Sequence, residues 1–141
     1  MRSQELEIDR YMAKDPKWVC ADTSLSDALV LMHDSKSHFL PVVSGNIVIG
    51  ILRENAARMG ASLIGSETFT ASDWMAPRPT IVLPDASLYE VLDETPDNVY
   101  GCTVIQNQKG KIVGMFTPRE ALMAVRDLAR KKRRTGRSHH V

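Results

Sequence analysis

The chain repeats itself. Tyr11-Met-Ala-Lys-Asp-Pro-Lys-Trp-Val19 lies over Trp74-Met-Ala-Pro-Arg-Pro-Thr-Ile-Val82 at an offset of 63, with Met12/Met75, Ala13/Ala76, Pro16/Pro79 and Val19/Val82 coinciding. Asp22-Thr-Ser-Leu25 falls over Asp85-Ala-Ser-Leu88 at the same offset. Leu40-Pro-Val-Val43 matches Cys102-Thr-Val-Ile105 at 62, and Ile47-Val-Ile-Gly-Ile-Leu52 matches Lys111-Ile-Val-Gly-Met-Phe116 at 64. Within 141 residues this leaves room for two copies of one unit and little else. A unit of about 60 residues buries little core alone, so the copies are expected to pack against each other.

Each copy reads in the same order. An apolar strand follows the proline (Trp18 to Cys20; Ile81 to Leu83). A helix follows, opened by Ser24-Leu-Ser-Asp27 or Ser87-Leu-Tyr-Glu90, where a serine N-cap and an acid three residues later satisfy helix-start amides. Leu25, Ala28, Leu29 and Met32 form one apolar stripe, repeated as Leu88, Val91 and Leu92, and Thr95-Pro96 is expected to stop the second helix early. Two strands joined through Ser44-Gly45-Asn46 or Asn107-Gln-Lys-Gly110 come next. A last helix runs from Arg53 through Met59, or from Pro118 to about Arg130.

The expected fold class is therefore α+β: two β-α-β-β-α units packed as a pseudo-two-fold pair. The units span residues 8–64 and 65–128, the Gly/Ser/Thr-rich stretch from Gly60 to Ser72 reads as a loop between them, and residues 129–141 read as a flexible basic tail.

Charge and cysteine usage narrow the function. The net charge of +1 conceals a +6 excess from Arg126 onward and a −5 balance before it, so no broad basic face serves nucleic acid. The run Arg130-Lys-Lys-Arg-Arg-Thr-Gly-Arg137 reads as a solvated terminus; its functional alternative is a salt-sensitive arm for a polyanion. No apolar run reaches the ~18 residues of a membrane span, and no secretory signal is visible. Cys20 and Cys102 make no framework and are read as reduced thiols, small hydrophobes in strands of a cytoplasmic protein. No nucleophile stands with a base at motif spacing and no phosphate loop of the Walker type occurs, so no enzyme is expected. The adjacent His139 and His140 read as an incidental terminal pair, and no metal site is expected.

The ordered set Met-x3-Pro-x2-Val, Asp-x-Ser-Leu, Leu-Pro-Val-Val and Gly-Ile-Leu or Gly-Met-Phe-Thr, found twice, resembles a pair of cystathionine-beta-synthase (CBS) domains, the tandem called a Bateman module. The resemblance spans roughly residues 8 to 128. It implies a regulatory sensor that binds an adenosine-containing ligand (AMP, ADP, ATP or S-adenosylmethionine) between the copies. No further cofactor is implied. It also implies a homodimer that acts on an effector protein in trans. The alternative is a ligand-free dimeric scaffold with degenerate nucleotide sites.

The family pattern for ribose and phosphate, Gly-apolar-apolar-Thr-x-x-Asp, is met in copy two by Gly114-Met-Phe-Thr117-Pro-Arg119-Glu120, with Glu in place of Asp. By resemblance, Thr117 and Arg119 would contact phosphate, Glu120 the ribose, and Pro79, Thr80, Ile81, Tyr100, Gly101 and Cys102 the base. Two uses of Thr117 to Glu120 stay open, because the same four residues make a capping box with proline at the first helical position. Copy one reads Gly50-Ile-Leu-Arg53-Glu54-Asn55-Ala56, where Ala56 cannot accept a ribose hydroxyl. Lys17, Trp18, His38, Phe39 and Arg53 would make a second, degenerate site. His38 reads foremost as a half-buried strand residue with one hydrogen bond, and Trp18 as a core or dimer contact rather than a base platform.

Overall fold

Both copies fold in the expected order, and each lends its first short strand to the other. The computed structural model describes residues 6–94 and 101–137, without the side chains of 135–137. Copy one contains β1 (Ala13–Lys14), β2 (Val19–Cys20), α1 (Leu25–Ser35), β3 (Phe39–Ser44), β4 (Ile47–Arg53) and α2 (Glu54–Ala61). Copy two contains α3 (Ala71–Trp74), β5 (Ala76–Pro77), β6 (Thr80–Val82), α4 (Leu88–Glu94), β7 (Thr103–Gln106), β8 (Ile112–Phe116) and α5 (Pro118–Arg137). The predicted stop at Thr95-Pro96 lies outside the described residues.

One sheet is ordered β2-β3-β4-β5, the other β1-β8-β7-β6. The pairs joined through a crossover helix, β2/β3 and β6/β7, are parallel; the remaining pairs are antiparallel. The strands β1 and β5, each too short to show in the sequence pattern, hold the Met-Ala-x-x-Pro segments and cross to the partner copy's sheet. The preceding segments cross too. Ile8 N donates to Ala86 O (2.8 Å) and Leu88 N to Leu6 O (2.9 Å). In the mirror position Ala71 N donates to Thr23 O (2.8 Å) and Leu25 N to Phe69 O (3.4 Å).

Helix starts follow the sequence. Ser24 Oγ accepts from Asp27 N (3.1 Å), and Ser87 Oγ takes a long bond from Glu90 N (3.5 Å). The stripes turn inward: Leu25, Ala28 and Met32 are buried, as are Leu88 and Val91. Each copy has its own helix–sheet core. A third core, of Val43, Val48 and Ile51 against Cys102, Val104 and Met115, joins the two sheets. At about 25 cal/mol per Å² this shared burial is what makes one body of two small units.

Four expectations are corrected. Val19 and Gly50 both lie opposite Val42, whereas Val82 and Gly114 both lie opposite Ile105; Val42 therefore corresponds to Ile105, and the offset stays 63 rather than 62. Leu40, Pro41, Val42 and Val43 are all buried, so hydrophobic alternation could not set that register. The stretch from Gly60 to Ser72 is not a plain loop: α2 continues to Ala61, a 3-10 turn occupies Ser66–Thr68, and Thr70 caps α3, its amide donating to Asp73 Oδ2 (2.9 Å). The basic run placed in a tail from residue 129 belongs to α5, which runs to Arg137. Cys20 is exposed, not a buried hydrophobe, and Cys102, fully buried, stands just before β7.

Candidate functional site

The strand exchange builds a cleft that neither copy has alone. Because β1 pairs with β8, the copy-one segment Ala13 to Lys17 lies beside the start of α5 in copy two. The turn from α1 into β3, Ser35 to Phe39, completes the wall, and Met115 and Thr117 to Glu120 close it. The cleft holds about 640 Å³, within the range of small-ligand pockets.

Two backbone turns set its shape. Asp15, just before Pro16, has a left-handed φ of +50° and ties its amide to Val113 O (3.1 Å). Lys36 ends α1 at φ +54°, its amide reaching back to His33 O (3.2 Å), and this reversal presents Ser37, His38 and Phe39 to the cleft. A left-handed residue is the ordinary way to end a helix, although glycine is the common choice. On the side of copy two, Phe39 lies against Gly101, where an added Cβ would sit 3.5 Å from the ring at φ +70°.

The cleft is cationic at its surface. Lys14, Lys17, Lys36 and Arg119 are exposed along it, against Asp15 and Glu120, while Pro16, Phe39 and Met115 supply apolar surface. Glu120 turns back on the helix start: its Oε1 accepts from Thr117 N (2.9 Å) and from the Thr117 hydroxyl. The capping use of these residues is thus realised, in part: the Thr117 hydroxyl donates to the carboxylate. Ala121 N bonds to Thr117 O (3.0 Å), so Thr117 is the cap and the α5 N-terminus faces the cleft. Arg119 follows in the first turn, where the helix dipole favours an anion.

His38 is exposed and precedes β3, contrary to the half-buried strand position expected of it; its Nδ1 contacts Glu54 Oε1 at 2.5 Å. Arg58 Nη2 meets the other oxygen of Glu54 at 2.6 Å. His38 first and Arg58 second hold the Glu54 carboxyl below its usual range. Burial, with a smaller contribution from the Glu120 charge, pushes the Cys102 thiol up to about 12.

The structure regroups the candidate residues. Thr117, Arg119 and Glu120 share their cleft with Lys17, His38 and Phe39 of copy one; Pro79, Thr80, Ile81, Gly101 and Cys102 do not line it. Tyr100 lies outside the described residues. The strand β5 pairs with β4, Gly50 opposite Pro77 and Ile51 opposite Ala76, so this segment lies against copy one and not against β8. Trp18, 49% exposed, is not core; it lines a shallower hollow with Lys17, Leu31 and Lys111. Lys14, Asp15 and Lys36 also line the cleft, and the first two stand inside the repeated Met-x3-Pro segment.

The model of the CBS domain matches residues 7–57 and 71–127. The chain belongs to the CBS-domain family. No curated protein is significantly similar to it. Its fold is that of solved CBS pairs. The CBS-pair protein CBSX2 from Arabidopsis thaliana superposes with a TM-score of 0.76 at 20% identity, over 90% of this chain and 99% of that one. CBSX2 in complex with AMP gives a TM-score of 0.72 at 20% identity over 87% and 98%. The CBS domain of a bacterial CNNM/CorC family Mg2+ transporter in complex with ATP gives 0.73 at 15% identity over 86% and 87%. Among the described residues no helix is long and apolar enough to cross a membrane.

Proposed function

We propose that this CBS pair is a regulatory module, not an enzyme, that binds an anionic adenine nucleotide in the cleft between Lys14 and Glu120 and acts on a separate effector. The observation that carries it is the pairing of four exposed cations with the α5 N-terminus in a cleft of about 640 Å³. The AMP and ATP complexes of the related CBS structures support the ligand class. Pro16, Phe39 and Met115 offer apolar surface to the base. Both Thr117 bonds fall on Glu120 Oε1, so Oε2 is the oxygen for a ribose hydroxyl. The cation excess disfavours S-adenosylmethionine, whose sulfonium is positive.

The cleft draws its walls from both copies, so a ligand there changes affinity with their relative packing, which is the requirement for signalling. Exposed Leu122 and Val125 on α5 and Met59 on α2 support a homodimer through the helices. The two free cysteines suit a reducing compartment such as the cytoplasm.

The second reading, a ligand-free scaffold, is favoured by the Glu120 cap alone. Calorimetric titration with AMP, ATP and S-adenosylmethionine separates the two. The expected result is binding of AMP and ATP, weakened by Lys36→Gln and Glu120→Ala, with S-adenosylmethionine weakest. Silence from all three at millimolar concentration overturns the sensor and leaves the scaffold.

A further inference from the structure

We propose that the C-terminal half of α5 is a docking surface for duplex nucleic acid, gripping phosphates without reading sequence. Ala121, Ala124 and Leu128 hold the helix on the second core, and every residue from Ala129 to Arg134 is exposed. Arg126, Arg130, Arg133 and Arg134 are spaced i, i+4, i+7 and i+8, which places them on about a third of the helix circumference along roughly 12 Å.

All four are exposed, and none forms a salt bridge among the described residues. Asp127, the acid in this stretch, is occupied by Tyr11 Oη at 2.8 Å and Lys131 Nζ at 3.3 Å, with Arg130 adding to the positive field on it.

This segment violates its own local rules. Arg126/Arg130 and Arg130/Arg134 are like-charge i,i+4 pairs, which work against a helix, and no buried face compensates them beyond Leu128. A polyanion laid along the arginine face turns that repulsion into attraction and releases counterions.

The chemistry selects among polyanions. From Ala129 to Arg134 the sole apolar residue is Ala129, so the segment has no face to insert into a bilayer. No aromatic occurs from Pro118 to Arg137, so nothing stacks on unpaired bases. The rest of the chain carries a net −5, which keeps contact with DNA at the helix end.

The test is fluorescence anisotropy of the full chain with a labelled duplex of about 24 base pairs, from about 50 to 200 mM salt. The logarithm of affinity should fall linearly with the logarithm of salt, with a slope near −4 for four neutralised phosphates. The triple variant Arg130→Gln, Arg133→Gln, Arg134→Gln should bind at least about tenfold more weakly with a slope near −1, and the matching triple lysine variant should retain binding. Circular dichroism of each variant checks the fold. Equal binding by the triple glutamine variant overturns the proposal. So does equal affinity for the single strand. Displacement of the duplex by anionic phosphatidylserine vesicles overturns it in favour of a lipid surface.

Discussion

Met12 Sδ fills the space in front of Gly114, and Met75 Sδ fills it in front of Gly50. Each methionine belongs to one copy and each glycine to the other, so the two halves interlock through their own repeated motif. A Cβ on Gly50 would lie 2.5 Å from Met75 Sδ and 2.7 Å from the carbonyl of Ala76; at Gly114 the backbone neighbour, Ala13 O, is 3.1 Å away. Gly50→Ala and Gly114→Ala should each destabilise by about 1–3 kcal/mol in urea titrations. Shortening the methionine should relieve Gly114→Ala in the double variant with Met12→Ala far more than it relieves Gly50→Ala with Met75→Ala, because a backbone carbonyl cannot give way. Equal coupling in the two cycles would refute this account.

Ile8 opens copy one yet is fully buried in the core of copy two, against Leu88 and Val91. Ile8→Ala should cost about 2–5 kcal/mol and shift a single cooperative unfolding transition rather than one of two. Two separate transitions would mean that the copies fold independently.

Of the two thiols, Cys20 is exposed and Cys102 is buried with its pKa pushed up to about 12. A thiol reagent at pH 8 should label one cysteine in the native chain and two in denaturant, with Cys20→Ser abolishing the fast reaction. Rapid native labelling of Cys102 would show that the core between the sheets opens readily.

Glu54 is held below its usual pKa by His38 and Arg58. A depressed folded-state pKa contributes stability that is present above the unfolded carboxylate range near 4.3 and is lost as pH falls through the folded value. Glu54→Gln should therefore lose less than about 1 kcal/mol at neutral pH, and its deficit should vanish in acid. A deficit that persists at low pH would assign the loss to packing.

The repeat, the element order and both helix caps were legible in the sequence because they depend on local chemistry: Ser24 and Ser87 cap wherever their helices go, and Leu25, Ala28 and Met32 keep one face at any packing. The correspondence of β7 with β3 was not, since Leu40 to Val43 are buried throughout and carry no alternation to anchor it.

The site divides the same way. Motif singled out Thr117, Arg119 and Glu120 as one set and Lys17, His38 and Phe39 as another, and the structure lines one cleft with all six. That they share a cleft depends on which sheet edge accepts β1. A two-residue strand has too little side-chain pattern to state its partner; the antiparallel pairing of Ala13 with Met115 and Lys14 with Gly114 states it instead. The amino acids alone specified two like units and their caps, because those rest on neighbours along the chain. Only the folded molecule decided that each unit completes the other's sheet, because that choice rests on shape and burial between segments distant along the chain, Ala13 against Met115 and Gly50 against Pro77.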